Sequence, residues 1–209
     1  MAVGGTYPLV LAGGHAVQAH GLADQLSYGL DLATENPDPV EGIAADMRVG
    51  LEQRDWLVTA LVAGPLSAQL IVADASDGEE CVVGIRKEVL WCLPLRTPPG
   101  PALSVEDVVD TKVRALADLG FACDLIDVRA APDRWSHIEL GRLGRRHAHG
   151  SFGLAELQAR LVGTYWIYDT EFTACGLSEQ EIVALRWWAQ EWAHDIAERL
   201  LKGETPPED

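Results

Sequence analysis

The sequence predicts an α+β protein, with strands gathered in the first hundred residues and only helices beyond residue 104. Three observations carry this. Segments 7–12, 27–34, 56–63, 66–73, 81–86 and 88–95 are short aliphatic or β-branched runs bounded by Gly, Pro, Asp or Asn. Between them, Ile43, Met47 and Leu51 recur at helical spacing. Near the end, Ile182, Leu185, Ala189, Trp192, Ile196 and Leu200 form one apolar helical stripe.

Residues 7–12, YPLVLA, read as a strand running into Gly13-Gly14 and then HAVQAHG, a helix ended by Gly21. Strand, paired glycines, helix is a place where backbone N–H groups can face an anion. Glycine pairs also serve simply as tight turns. In SYGLDLAT, 27–34, Tyr28, Leu30 and Leu32 point one way, and Gly29, Asp31 and Ala33 the other. The single carboxylate of Asp31 needs a partner or a cleft, because an isolated charge is costly to bury.

TENPDP is a turn, and 39–54 a helix. WLVTALVA (56–63) and LSAQLIVA (66–73) are strands separated by Gly64-Pro65; Leu66, Ala68, Leu70 and Val72 share a face. DASDGEE carries the hairpin turn Asp77-Gly78. CVVGIR (81–86) and EVLWCLPL (88–95) are further strands, and RTPPGPAL is a rigid loop that stops the sheet.

Ser104 opens the next helix, with Asp107 in a variant of the capping box. Lys112 falls on its apolar face, between Val108 and Leu116. A lysine there either snorkels at the edge of the core or faces a cleft. CDLIDV (123–128) sets Asp124 and Asp127 one turn apart on a shared helix face; by spacing alone they are two exposed acids. Residues 131–150 are irregular and polar. Ser178 and Glu181 form a full capping box for a last helix over 179–201. Trp187 and Trp188 widen its stripe, which suggests burial. The expected organisation is a core over 1–130, a linker over 131–150, a C-terminal helical region over 151–201 and a disordered tail over 202–209.

Composition bounds the function. The net charge of −16 argues against nonspecific nucleic-acid binding, which relies on Lys and Arg against phosphate. Arg142, Arg145 and Arg146 make a local basic cluster that reads as a solvated linker. No apolar run is long enough to span a bilayer, and the N-terminus lacks the basic region of a secretory signal, so the chain reads as cytoplasmic. Cys81, Cys92, Cys123 and Cys175 are widely spaced and read as reduced core residues.

The segments LAGGHAVQAHG, LSYGLDLAT, SVEDVVDTKVRALADLGFACDLIDV and LSEQEIVALRWWAQEWAHDI, taken in order, resemble the AbiEii-type nucleotidyltransferase toxins, a branch of the polymerase-β-like nucleotidyltransferase superfamily. The likeness runs from residue 7 to about 200. The first segment looks like that family's Gly-Gly motif, and the second lies where the family has Arg-x-Thr-x-Asp-hydrophobic-Asp. The third is similar to its Lys-x-x-Ala-Leu helix and Arg-Asp-x-x-Asp motif, the fourth to its helical end.

The resemblance implies a nucleotidyltransferase-like core: a mixed sheet flanked by helices, and a cleft for a nucleoside triphosphate with Mg²⁺. It implies Asp31 as the second metal acid, with Gly13, Gly14, His15 and Ser27 at the nucleotide. Lys112 would be the nearby cation, and Asp124 and Asp127 the two acids of the later motif. It further implies a companion antitoxin-like protein. Phosphoryl transfer is mostly positioning and charge neutralisation, which suits such residues.

The departures bear on activity. Gly29 stands at the first metal acid, Gln25 at the Arg, Ser27 at the Thr, and Cys123 and Leu119 where Arg is expected. Gly84 falls on a strand where the family often has an acid. One reading is therefore a nucleotide-binding relative with impaired or altered transfer chemistry. The other is a working enzyme that moves a nucleoside monophosphate from an NTP to RNA or a small acceptor, Asp31 and the substrate phosphates sharing one Mg²⁺. A third is a metal site at His147 and His149, an HxH pair, with His137 ten residues before.

Overall fold

The computed structural model describes residues 7–23, 29–131, 135–146 and 152–203. β1 (Val10–Ala12) runs directly into α1 (Gly13–Ala19), and β2 (Gly29–Thr34) leads by a turn to α2 (Val40–Glu52). β3 (Trp56–Ala63), β4 (Ser67–Asp74) and β5 (Glu80–Lys87) follow, then β6 (Leu95–Thr97) and β7 (Gly100–Ala102). The rest is helical: α3 (Val105–Asp118), α4 (Ala122–Arg129), α5 (His137–Arg146), α6 (Leu154–Gly163), α7 (Asp169–Ala174) and α8 (Glu179–Leu201). The expected α+β architecture with a mixed sheet is what forms. The chain divides near residue 105 into a sheet-bearing unit and a helical unit, residues 22–23 grouping with the latter.

In the first unit the strands lie in the order β3-β4-β5-β2-β1-β7-β6. β2 is antiparallel to β1 and parallel to β5. One face packs on α2. Val40, Ala44 and Met47 meet Val58, Ala68, Leu70, Val72, Val83 and Ile85, with Leu30 and Leu32 alongside. Pro39 precedes α2 and offers no side-chain cap. The β3–β4 turn supplies the missing acceptors: Val40 N–H and Glu41 N–H donate to the carbonyls of Pro65 and Gly64, at 3.0 and 3.1 Å.

Three sequence expectations need correction here. EVLWCLPL is not a strand; the chain is irregular from 88 to 94, and β6 begins at Leu95. RTPPGPAL does not stop the sheet but extends it. Pro98 and Pro99 form a tight turn, and Thr97 Oγ1 donates to the Gly100 carbonyl at 2.6 Å. β7 then pairs with β1 through Leu11 and Ala102. Leu66 lies before β4 and is exposed, although Ala68, Leu70 and Val72 are buried as their alternation requires.

In the second unit α8 has the expected capping box. Ser178 N–H donates to Glu181 Oε2 at 2.8 Å, and Glu181 N–H returns a bond to Ser178 Oγ. Ile182, Leu185, Ala189, Trp192 and Ile196 are buried, but Leu200 is exposed and Trp187 is 65% exposed. Two residues past Leu185, Trp187 lies about 200° around the helix from it and points away from the core. The stretch expected to be irregular contains α5. Its buried Leu140 and Leu143 are one turn apart among arginines, a pair too short to show as a period.

The cysteine reading is also overturned. Cys123 on α4 and Cys175 after α7 form a disulfide, and Cys81 is exposed. Among the described residues no helix is long and apolar enough to cross a membrane.

Candidate functional site

Asp31 lies at the centre of the first unit's sheet. It pairs in register with Ala12 of β1 on one side and Gly84 of β5 on the other. Leu30 and Leu32 point to the α2 core, so alternation turns Asp31 to the opposite face, where it is half-buried. Its carboxylate lies between two glycines. A Cβ at Gly13 would come within 2.3 Å of Oδ2, and one at Gly84 within 2.8 Å of Oδ1. Gly13 also has φ of +55°, the left-handed region that disfavours side chains. The strand-to-helix turn therefore requires glycine twice over, by backbone conformation and by the approach of Asp31.

Gly13→Ala is accordingly expected to lower stability by roughly 1–3 kcal/mol, the scale of a strained αL residue, with extra loss from contact with Asp31. Chemical denaturation checks this. An Asp31→Ala background removes the contact but not the strain, so the double variant recovers only part.

Gly29 adds a third constraint. A Cβ there would meet the Val82 carbonyl oxygen at 2.8 Å, and backbone cannot yield as a side chain can. The residues at the two positions that could share metal with Asp31 are thus both glycines in close quarters. Beside this turn, His15 Nδ1 is buried and makes no hydrogen bond among the described residues. His20, at the end of α1, donates from Nε2 to the Leu103 carbonyl at 2.6 Å and ties the helix to the chain after β7. Ser27 and Gln25 lie outside the described residues.

The second unit brings together Lys112, Asp124 and Asp127. Lys112 Nζ donates to Asp124 Oδ1 at 2.8 Å and lies 2.7 Å from Asp127 Oδ2. The expectation of two exposed acids fails: Asp127 is fully enclosed and Asp124 nearly so. Burial alone would pull the lysine pKa down, but the carboxylates of Asp127 and then Asp124 outweigh it and raise it to about 12. The described contacts place one ammonium between two carboxylates, the geometry of a clasp between α3 and α4.

Sequence reasoning missed a third cluster in the same unit. His137 Nδ1 meets Asp195 Oδ2 at 2.5 Å, its ring stacks on Trp192, and Arg129 lies over Trp188. His137, Asp195, Arg129 and Trp188 line a cavity of about 310 Å³. A pairing 58 residues apart leaves no local signal. His147 and His149 lie outside the described residues. Among the described ones no group of three or more His, Cys, Asp or Glu is arranged to hold a metal.

No protein-family profile and no curated protein matches the sequence. Solved structures do match in fold. JHP933 from Helicobacter pylori superimposes with a TM-score of 0.57 at 13% identity, over 94% of this chain and 88% of that one. MenT4, a nucleotidyltransferase toxin from Mycobacterium tuberculosis, gives 0.52 at 12% identity, over 94% and 85%. Another H. pylori protein, provisionally assigned as a nucleotidyltransferase, gives 0.52 at 15% identity, over 95% and 90%. The fold is nucleotidyltransferase-like, and chemistry has to be read from the residues themselves.

Proposed function

We propose that this chain is a nucleotidyltransferase-fold protein that binds a nucleoside triphosphate and has impaired or altered metal-dependent transfer chemistry. The observation that carries this reading is the pair of glycines, Gly29 and Gly84, where carboxylates would have to join Asp31. Mg²⁺ takes six oxygen ligands in near-octahedral geometry, and in-line transfer uses two ions held between several acids. The residues around Asp31 do not fit that group. An acid at Gly29 would press on the Val82 carbonyl, and one at Gly84 would displace Asp31 itself.

Nucleotide binding is supported by the turn. Gly13 and Gly14 open a helix directly from a strand, which lets phosphate oxygens approach backbone N–H groups. His15 follows in the first turn, its Nδ1 without a protein hydrogen bond among the described residues. Lys112, Asp124 and Asp127 enter as positioning residues that hold α3 and α4.

Calorimetric titration with each of the four common NTPs, in Mg²⁺ and in EDTA, tests the reading. Saturable binding of at least one, changed by less than about threefold on chelation, is expected. Absence of binding by all four at millimolar concentration contradicts it.

A further inference from the structure

We infer that the cavity among α4, α5 and α8 is a binding site for a guanine base, carried by a free nucleoside or nucleotide. Its described lining lies wholly in the second unit and shares no residue with the Gly13-Gly14 turn. At about 310 Å³ it stands at the small end of the ~300–1,000 Å³ usual for ligand sites, room for one planar ring system. Trp135 and Trp188 give it aromatic walls, and Arg129, His137 and Asp195 bring polar groups to the same hollow.

Contacts within the protein already position those polar groups. His137 Nδ1 holds Asp195 Oδ2, while the imidazole stacks on Trp192 at 5.6 Å between centroids and meets Trp188 edge-on at 5.7 Å. Asp195 Oδ1 takes no hydrogen bond among the described residues. The Arg129 guanidinium lies 5.6 Å from the centre of the Trp188 ring. Such stacking occupies the face of the guanidinium, whereas hydrogen bonding uses its edge.

This mixture of groups selects the ligand. Arg129 repels a cation and Asp195 repels an anion, so the enclosed part of the ligand is neutral. Aromatic walls favour a planar ring. That ring must offer acceptors to the guanidinium and donors to the carboxylate. Guanine has both: O6 and N7 accept from an arginine fork, and N1–H and the 2-amino group donate to a carboxylate. Adenine lacks the matching donors, because its N1 is an acceptor. The net charge of −16 disfavours a long strand as the source of the base.

Guanosine is the probe, because it has no phosphate with which to occupy the Gly13-Gly14 turn. Titration of the full chain is followed by tryptophan fluorescence, with adenosine for comparison. The variants are Asp195→Ala, Arg129→Met and, as a control, Glu198→Ala, which removes an exposed acid about one turn further along α8. Melting curves check that each variant is folded. Guanosine should bind with a Kd below about 1 mM, at least about tenfold tighter than adenosine. Asp195→Ala and Arg129→Met should each weaken it at least about tenfold, and Glu198→Ala should leave it unchanged. No guanosine binding at about 1 mM, equal affinity for adenosine, unchanged affinity in Asp195→Ala or Arg129→Met, or equal loss in Glu198→Ala overturns the proposal. GTP bound where guanosine is not would refute this site and leave the triphosphate reading standing.

Discussion

Replacing Lys112 with methionine lowers stability by about 3–5 kcal/mol, because it leaves two buried carboxylates without their cation. The triple variant that also carries Asp124→Asn and Asp127→Asn recovers most of this, since the two carboxylates that faced the amine are then neutral. Urea unfolding of the three proteins measures the effect. An independent signature lies in alkali. The folded-state pKa of Lys112 is raised from 10.5 to about 12, so the pair's contribution is fully present below pH 10.5. It is lost as the pH rises through about 12, and the shift corresponds to about 2 kcal/mol. The wild type should show this alkaline loss and the methionine variant should not. If Lys112→Met unfolds like wild type, the amine is not clasped by the two acids.

Reducing the Cys123–Cys175 disulfide is the second large effect. The bond closes a loop of 52 residues, for which chain entropy gives about 4 kcal/mol of stabilisation at most. The melting temperature should fall by roughly 10 °C in reductant or in Cys123→Ser/Cys175→Ser. Thiol titration of the unfolded, unreduced chain should find Cys81 and Cys92 only. Four reactive thiols and a melting point indifferent to reductant would show that the pair does not form.

Local patterning made much of the fold legible. The strand alternation of Leu70 and Val72, the helical spacing of Ile43 and Met47, and the Ser178–Glu181 capping box each act within a few residues. What the sequence hid depends on residues far apart. Pro98-Pro99 reads as a stop signal, yet it is the turn of a hairpin whose second strand finds β1 some ninety residues earlier. Cys123 and Cys175 are unremarkable singly and pair only because α4 and α7 meet.

At the candidate site, Asp31 was conspicuous as a lone acid on an apolar strand. Its packing against Gly13 and Gly84 was not, because that contact joins α1, β2 and β5. Lys112 drew attention by lying on an apolar helix face. That two acids a turn apart would be buried against it was invisible in their spacing.

The most direct measurement is incubation of the pure protein with α-labelled NTPs and Mg²⁺ or Mn²⁺, with and without bulk tRNA. Saturable nucleotide binding is predicted, with label incorporation no higher in wild type than in Asp31→Ala. Robust transfer of label that disappears on Asp31→Ala would contradict the account, since a single strand carboxylate between glycines would then suffice for catalysis.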